Sequence, residues 1–299
     1  MMRILSMKNA FMAVVLAVCT AGVCSAQVLL YDTFADGSRV ETNLPTESAV
    51  WVGTPGSVTM GTGSLAYAQS TGSQKLWTYF AANGSPVSLE VGQQLIATIG
   101  FTPRQTLYDV TSKNFRFGLF NDLTNDQLLS DTNSDSGGTG NPWEDSTGYA
   151  VHFPLSSGPS GSNASVGKRI PNLTTSLLGS GSAYPGITSG GDKFTVTLDT
   201  LYTLTLVLDY QAANQMEVTF SIADATGVIS TNSILDDGTF GGYDTGVYTN
   251  FDQLFFRFSK AEGTADVIDF NSIKVELIPE PATLALLGLG ALVSLRKRR

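Results

Sequence analysis

Cysteine is confined to Cys19 and Cys24, near the start of the chain, and histidine to His152. Everything downstream of Cys24 therefore lacks thiols and disulfides, which excludes Cys/His zinc sites and thiol nucleophiles. A domain without such crosslinks needs a large core. At 299 residues and 42% hydrophobic content the chain can supply one, as one large all-β domain or two ordinary ones. Charge is scarce as well: charged residues make up 14%, against about 25% in ordinary soluble domains. Gly, Ser, Thr and Asn fill the difference and suit turns and polar strand faces. Between the two ends there is no long apolar run, and no stretch of a dozen residues carries a helical period.

What charge there is lies unevenly. Six of the 17 Lys and Arg (Arg3, Lys8 and Arg296, Lys297, Arg298, Arg299) and one of the 26 Asp and Glu (Glu280) lie in the terminal segments. That leaves 11 basic against 25 acidic residues in between. So acidic a body repels nucleic acid, because phosphate binding needs clustered Lys and Arg. The acidity serves solubility or calcium binding.

The first 26 residues read as a signal peptide. Arg3 and Lys8 give the positive start, Ala10 to Val23 the apolar run, and Cys24-Ser25-Ala26 the small residues at −3 and −1. Cleavage is expected before Gln27. Val18 and Val23 precede the two cysteines, which disfavours a lipoprotein site. The other end has three parts: Pro279-Glu280-Pro281, an apolar run from Ala282 to Leu295, and the basic stop Arg296, Lys297, Arg298, Arg299. The prolines break regular structure. The 14 apolar residues make a helix of about 21 Å, short of the roughly 30 Å hydrocarbon core. Snorkelling arginines and local thinning make up part of the difference. The positive-inside rule places the basic end in the cytoplasm and the body outside.

This order of Pro-Glu-Pro, short apolar helix and terminal arginine cluster resembles PEP-CTERM sorting signals. The resemblance covers about the last two dozen residues. It implies an exosortase-type processing enzyme as partner, acting on the sorting motif Pro279, Glu280, Pro281, Arg296, Lys297, Arg298 and Arg299, and a membrane tether until processing. The alternative is a plain tail anchor, which is ordinarily nearer 20 apolar residues.

From Gln27 to Ile278 the period is that of strands. Met216, Val218, Phe220 and Ile222 alternate with Gln215, Glu217, Thr219 and Ser221. Tyr202, Leu204, Leu206, Leu208 and Tyr210 do the same, and the short link "QAAN" makes the two segments a hairpin. Further strands are expected in "VLLYDTF", "SLAYA", "KLWTYF", "QLIATIGF", "FRFGLF", "GYAVHF", "KFTVTL", "QLFFRF" and "IDFNSIKVEL". The first and last of these should lie close together. Long Gly/Ser/Asn-rich loops are expected at 121–147 and 156–191. No internal period of 20 to 50 residues suggests a solenoid or propeller. The expected fold class is all-β: an antiparallel β-sandwich over 27–278, between an N-terminal signal helix (1–26) and a short C-terminal transmembrane helix within 279–299.

"LLYDTF", "FRFGLF", "YTLTLVLDY" with its hairpin partner, and "FNSIKVEL" at the end give the body a layout similar to concanavalin A-like lectin/glucanase jelly rolls, including laminin-G-like domains. A fibronectin-like sandwich is the other reading.

Chemistry is sparse. Asp131, Asn133 and Asp135 alternate oxygen ligands as calcium loops do. Gly137 falls one place late, and Pro142 stands where a twelfth-position Glu belongs. The alternatives are a calcium site and a solvated polar loop. Jelly-roll glucanases carry Glu-x-Asp-x-x-Glu on one strand; no such run occurs, Glu217 is alone on its face, and Glu144 and Asp145 lie in a loop. His152 near Tyr149 could serve a polysaccharide lyase as base and acid, or be a hydrogen-bonded strand histidine. Trp51, Trp77, Trp143, Tyr149 and Tyr184 are aromatic candidates for sugar stacking, with core packing the alternative. Trp143 is expected to be exposed, and Trp143 with Tyr149 to form the carbohydrate-binding pair. "GSGSAYPG" lacks the lysine of a phosphate loop.

The reading is a non-enzymatic exported surface or extracellular-matrix protein, associated with polysaccharide and without nucleic-acid partners. A carbohydrate-active enzyme (glycoside hydrolase or polysaccharide lyase) on the same fold, or a calcium-dependent adhesin, are the alternatives.

Overall fold

The computed structural model describes residues 25–40, 50–67, 72–104, 115–123, 127–133, 142–155, 163–170, 176–179, 184, 188–239, 246–261 and 267–280. The signal segment up to Cys24 and the tail from Pro281 lie outside these. The described residues form strands and turns, with no helix among them; none is thus a helix long and apolar enough to cross a membrane. The strands are β1 (Gln27–Asp32), β2 (Val52–Gly53), β3 (Val58–Gly61), β4 (Ser64–Tyr67), β5 (Gly72–Tyr79), β6 (Val87–Ser88), β7 (Gln94–Pro103), β8 (Phe115–Asn121) and β9 (Thr147–Phe153). They continue with β10 (Ala164–Arg169), β11 (Thr188–Gly190), β12 (Tyr202–Ala212), β13 (Gln215–Asp224), β14 (Gly227–Asp236), β15 (Asn250–Phe251), β16 (Gln253–Ala261) and β17 (Ile268–Ile278).

Two antiparallel sheets carry the fold. The first runs β14-β13-β12-β7-β17-β4-β3, with β1 also on β17; the second runs β11-β10-β9-β8-β16-β5-β2. A small pair, β15-β6, forms a separate two-stranded sheet. The expected hairpin is present: Leu206 faces Phe220 and Leu208 faces Val218. Asn214 takes φ +61° in its turn, a left-handed position that Asn tolerates. β17 is paired with β7 from Ile268 to Ile278 on one edge, and with β4 and β1 on the other. Gln27 faces Leu277, so the first and last strands of the body are direct neighbours.

The core lies between the inner faces. Leu95, Ala97, Ile99 and Phe101 of β7, Leu204, Leu206 and Leu208 of β12, and Met216, Val218, Phe220 and Ile222 of β13 meet Phe115, Phe117, Val151, Phe153, Phe256 and Phe258 of the second sheet. Phe220 bridges the layers, with ring centroids 5.6 Å from Phe153 and 6.2 Å from Phe117. Each such buried side chain contributes about 1.5–3 kcal/mol relative to exposure. Trp51 belongs to this core, its Nε1 donating to buried Asp32 Oδ2 at 2.7 Å.

Three expectations about the elements are corrected. "KFTVTL" is not a ladder strand: Phe194 and Val196 are buried alternately, but the segment pairs with neither sheet. The span 156–191 is not simply a loop, since it contains β10 and β11. β10 escapes an apolar pattern because both its faces are covered: Ala164 and Val166 face the core, while Ser165 and Arg169 are buried on the other side. β14 was missed because it turns polar residues inward. Asn232 donates to Ala164 O and Thr188 O (3.3 and 3.1 Å) and Ser230 to Asp192 O (2.7 Å), so this strand closes the first sheet against the edge of the second.

Candidate functional site on the outer face of the second sheet

Strand register builds this face in rows, because residues directly opposite on neighbouring strands point to the same side. One row reads Lys75, Arg257, Arg116, His152, Ser165 across β5, β16, β8, β9 and β10. The next reads Trp77, Phe255, Gly118, Ala150, Gly167, and the third Tyr79, Gln253, Phe120, Gly148, Arg169. No strand residue in these rows is acidic. Four of the 11 basic residues between the ends stand here.

The middle row falls from large to small. Gly118 and Ala150 leave a depression beside Trp77 and Phe255. At Gly118 a Cβ would lie 2.8 Å from the Phe120 ring, so glycine is what lets that ring fold over the strand. The depression is filled from above by Trp143, Leu177, Leu178 and Tyr184, which form a second hydrophobic cluster with Trp77 and Phe255. Trp143 packs edge-on against Trp77 (5.2 Å) and Phe255 (5.1 Å).

Two arginines pin this cover by its backbone. Arg169, fully buried, donates to Trp143 O and Ser146 O at 3.1 Å, to Ser176 O at 3.2 Å and to Leu177 O at 3.5 Å. Arg116 donates to Leu178 O at 2.7 Å and to Gly179 O. Arg116 is held below its usual pKa by burial first and by the neighbouring Arg257 charge second. Burial pushes the Tyr184 phenol up to about 12, against the pull of Arg169, Arg116 and Arg257. Its hydroxyl donates to Leu177 O at 2.8 Å. His152 meets Tyr184 edge-on at 4.9 Å, and Lys75 lies over the Trp143 ring at 5.7 Å. Glu144 and Asp145, next to Trp143 in its turn, are the acidic residues of the cover.

At one end of the face is a second polar group. Tyr79 Oη donates to Asp122 Oδ2 (3.3 Å) and accepts from Leu128 N (3.2 Å); Asp122 N donates to Asp252 Oδ1 (3.0 Å). Burial, then the Asp122 charge, raises the Asp252 carboxyl to about 7. The same two causes raise Tyr79. Gln253 beside them is fully buried, and neither amide atom has a hydrogen-bond partner.

The residues singled out from sequence are dispersed. Trp143 is fully buried, which corrects the expectation of an exposed ring: Pro142 starts a turn that folds it onto Trp77 instead of into solvent. Tyr149 is also fully buried and faces the core, donating to Asp236 Oδ2 at 2.7 Å. The two rings thus lie on opposite faces of the sheet. Asp131 is a staple for its loop: Oδ2 accepts from Arg39 Nη2 (2.6 Å) and Oδ1 from Gly53 N (3.0 Å). Both oxygens of Asp131 are thus engaged within the protein, and no His/Cys/Asp/Glu group that could hold a metal occurs among the described residues. Asn133 is exposed; Asp135 lies outside the described residues. Of the sorting motif, Pro279 and Glu280 follow β17 directly and Glu280 packs over Gly92, while Pro281 and the four basic residues from Arg296 lie outside. The basic row was invisible in the sequence, since Lys75, Arg116 and Arg257 lie far apart in the chain. Only the register aligns them.

Residues 277–299 match the PEP-CTERM protein-sorting motif. The protein is therefore exported, sorted to the cell envelope and subject to exosortase-type processing. No curated protein sequence matches the chain. Among solved structures, the exoplasmic/lumenal domain of VIP36 in its Ca2+/Man-bound form is similar at 11% identity, over 84% of this chain and 91% of that one, with a TM-score of 0.49. Peanut lectin is similar at 10% identity, over 85% and 97%, with a TM-score of 0.46. Lotus tetragonolobus seed lectin is similar at 14% identity, over 86% and 100%, with a TM-score of 0.45. These neighbours are lectins of the concanavalin A-like jelly-roll type.

Proposed function

We propose that this protein is a non-enzymatic component of the cell surface or extracellular matrix that associates with polysaccharide. Its working part is the β-sandwich of residues 27–278. A signal peptide, residues 1–26, sends it across the membrane. The run from Ala282 to Leu295 then holds it at the bilayer until an exosortase-type enzyme acts at Pro279-Glu280-Pro281, after which it stays in the envelope or passes into the matrix. The observation that carries this reading is the junction between fold and tail. The sorting match begins at residue 277, inside the central strand β17, so the folded body is coupled to the sorted segment without a spacer. Gln27 pairs with Leu277, so both ends of the body emerge together at one pole. Such a body is presented outward from a single point of attachment. A glycan-array screen of the surface-recovered protein, with and without calcium, tests the polysaccharide association. Binding to a defined set of glycans supports it, and binding to none refutes it.

The second reading, a polysaccharide lyase, is favoured by the contact between His152 and Tyr184 beside Arg116. A lyase needs a base, an acid and a cation for the uronate carboxylate. Release of unsaturated sugar ends from a polyuronate, lost in His152→Ala, would establish it. A hydrolase is less well supported, because the rows of this face carry no pair of carboxylates to flank a glycosidic bond.

A further inference from the structure

The body keeps hold of the chain beyond the end of its last strand. β17 is paired with β7 to its final residue, Ile278 facing Gln94. Pro279 has no N–H and cannot extend the ladder. Glu280 nevertheless returns to the body and lies over Gly92, in the turn before β7. That turn is fixed from within and from without. Gln93 N donates to Glu90 O (3.0 Å), and Glu90 N to Gln93 Oε1 (2.9 Å). Gly92 N donates to Tyr210 O (2.7 Å), and Gln93 O accepts from Tyr210 N (3.1 Å). Gly92 takes φ +88°. Conformation alone does not demand glycine there, since Asn also enters the left-handed region, as Asn214 does. Space does demand it. A Cβ on Gly92 would lie 2.8 Å from Glu280 Cγ, 3.1 Å from its Cδ and 3.3 Å from its Cβ. The bare backbone of Gly92 is thus a seat for the whole stem of Glu280, which stays exposed. The acidic residue of Pro-Glu-Pro is oriented by the body.

We propose that the turn Glu90–Gln93 is part of what the exosortase-type enzyme recognises, with Gly92 as the positioning residue for Glu280. Resting on the processing reading above, this adds a contact on the folded body to the sorting motif. A glutamate on a free tail loses rotamer freedom when an enzyme grips it. One already seated on Gly92 has lost that freedom beforehand, so binding is tighter. The enzyme, embedded in the membrane, approaches from the side of the apolar run. It meets Glu280 together with the turn that seats it, which also exposes Val91. The seat exists only while β17 is paired with β7, so processing is coupled to folding of the body.

The test follows the full chain in its native host, by pulse labelling and mass spectrometry of the tail. Gly92→Ala should lose the tail about three- to tenfold more slowly, as expected when one long side chain is no longer held in place. Gly63→Ala is the control. Gly63 has φ +81° and nothing within 4 Å of a Cβ, so this variant carries the backbone strain without the contact and should be processed at the parental rate. A second variant leaves every residue of the body in place: Gly-Ser-Gly-Ser inserted between Ile278 and Pro279 lifts Glu280 off the turn and should give the same slowing as Gly92→Ala. In that insertion chain Gly92→Ala should have no further effect, whereas a merely structural glycine would slow both chains alike. Parental or faster processing of the insertion chain, equal slowing by Gly63→Ala, or additive slowing by Gly92→Ala would overturn the proposal and leave processing through the tail standing. A parent chain that keeps its tail throughout would overturn both.

Discussion

Lys168 and Asp236 form an ion pair of 2.8 Å between the two sheets, with both side chains almost wholly buried. Asp236 Oδ2 also accepts from Tyr149 Oη, and Asp236 Oδ1 from Gly238 N. Lys168 donates to Gly246 O and lies 4.7 Å over the Tyr248 ring. Two charges removed from water are tolerated here because each has several partners. Removing one of them leaves the other uncompensated, at a cost of about 3–5 kcal/mol. Lys168→Met and Asp236→Asn should each lower stability by that order in urea unfolding. The double variant should lose less than the two single losses added together. Strict additivity would mean that the pair is not coupled.

The Asp252 carboxyl predicts a pH dependence. In the fold it keeps its proton to about 7, whereas an unfolded Asp titrates near 3.9. The folded state therefore binds the proton more tightly between those values, and stability falls as pH rises through that window and levels off above it. Asp252→Asn keeps an oxygen to accept from Asp122 N and cannot ionise. Its melting temperature should decline less than that of the parent between about pH 4 and pH 7. Parallel profiles for the two proteins would refute the assignment to Asp252.

Arg169 serves four carbonyls that belong to the cover of the outer face. Lysine keeps the charge but not the planar fork. Arg169→Lys should therefore cost about 1.5–3 kcal/mol and expose Trp143. The fluorescence of the folded protein should shift to the red, and limited proteolysis should cut near 176–179. An unshifted spectrum with an unchanged cleavage pattern would show that the cover does not depend on Arg169.

The tail is expected to decide where the protein goes. Truncation after Ile278 keeps every β17 pairing, including Gln27 with Leu277, and removes the apolar run. It should yield a folded domain in the soluble fraction. Changing Pro279, Glu280 and Pro281 to Ala should leave an unprocessed, membrane-bound form. Membrane fractionation of the truncated protein like that of the full chain would reveal an anchor in the body.

The termini give a further measurement. Mass spectrometry of surface-recovered protein should find a first residue at or near Gln27, where β1 begins, and no Arg296 to Arg299. Intact arginine tails on all of it would refute processing while leaving export untouched.

The hairpin of β12 and β13 was legible because its inward positions are apolar without exception, and period-two alternation is a local property. β17 was legible for the same reason on either side of the bulge between Phe270 and Ser272, which spaces the inward Phe270 and Ile273 three residues apart. β10 and β14 were not: Arg169 is buried beneath Trp143, Ser176 and Leu177, Ser165 is buried against Ser189, and Asn232 and Asp236 face inward to partners on other strands. A polar residue carries no mark of burial until those partners are in place. Trp143 was misplaced on the same grounds, since a tryptophan in a Gly/Asn-rich stretch looks exposed when Trp77 and Phe255 cannot be seen beneath it.

What the sequence by itself determined is what depends on order along the chain: the sorting tail with its Pro-Glu-Pro and basic stop, and the all-β class. The tertiary structure alone decided which residues share a face. Lys75, Arg116, His152 and Arg257 come into one row only through the pairing of β5, β16, β8 and β9, because register is a relation between strands, and a shift of one residue would send each side chain to the opposite face.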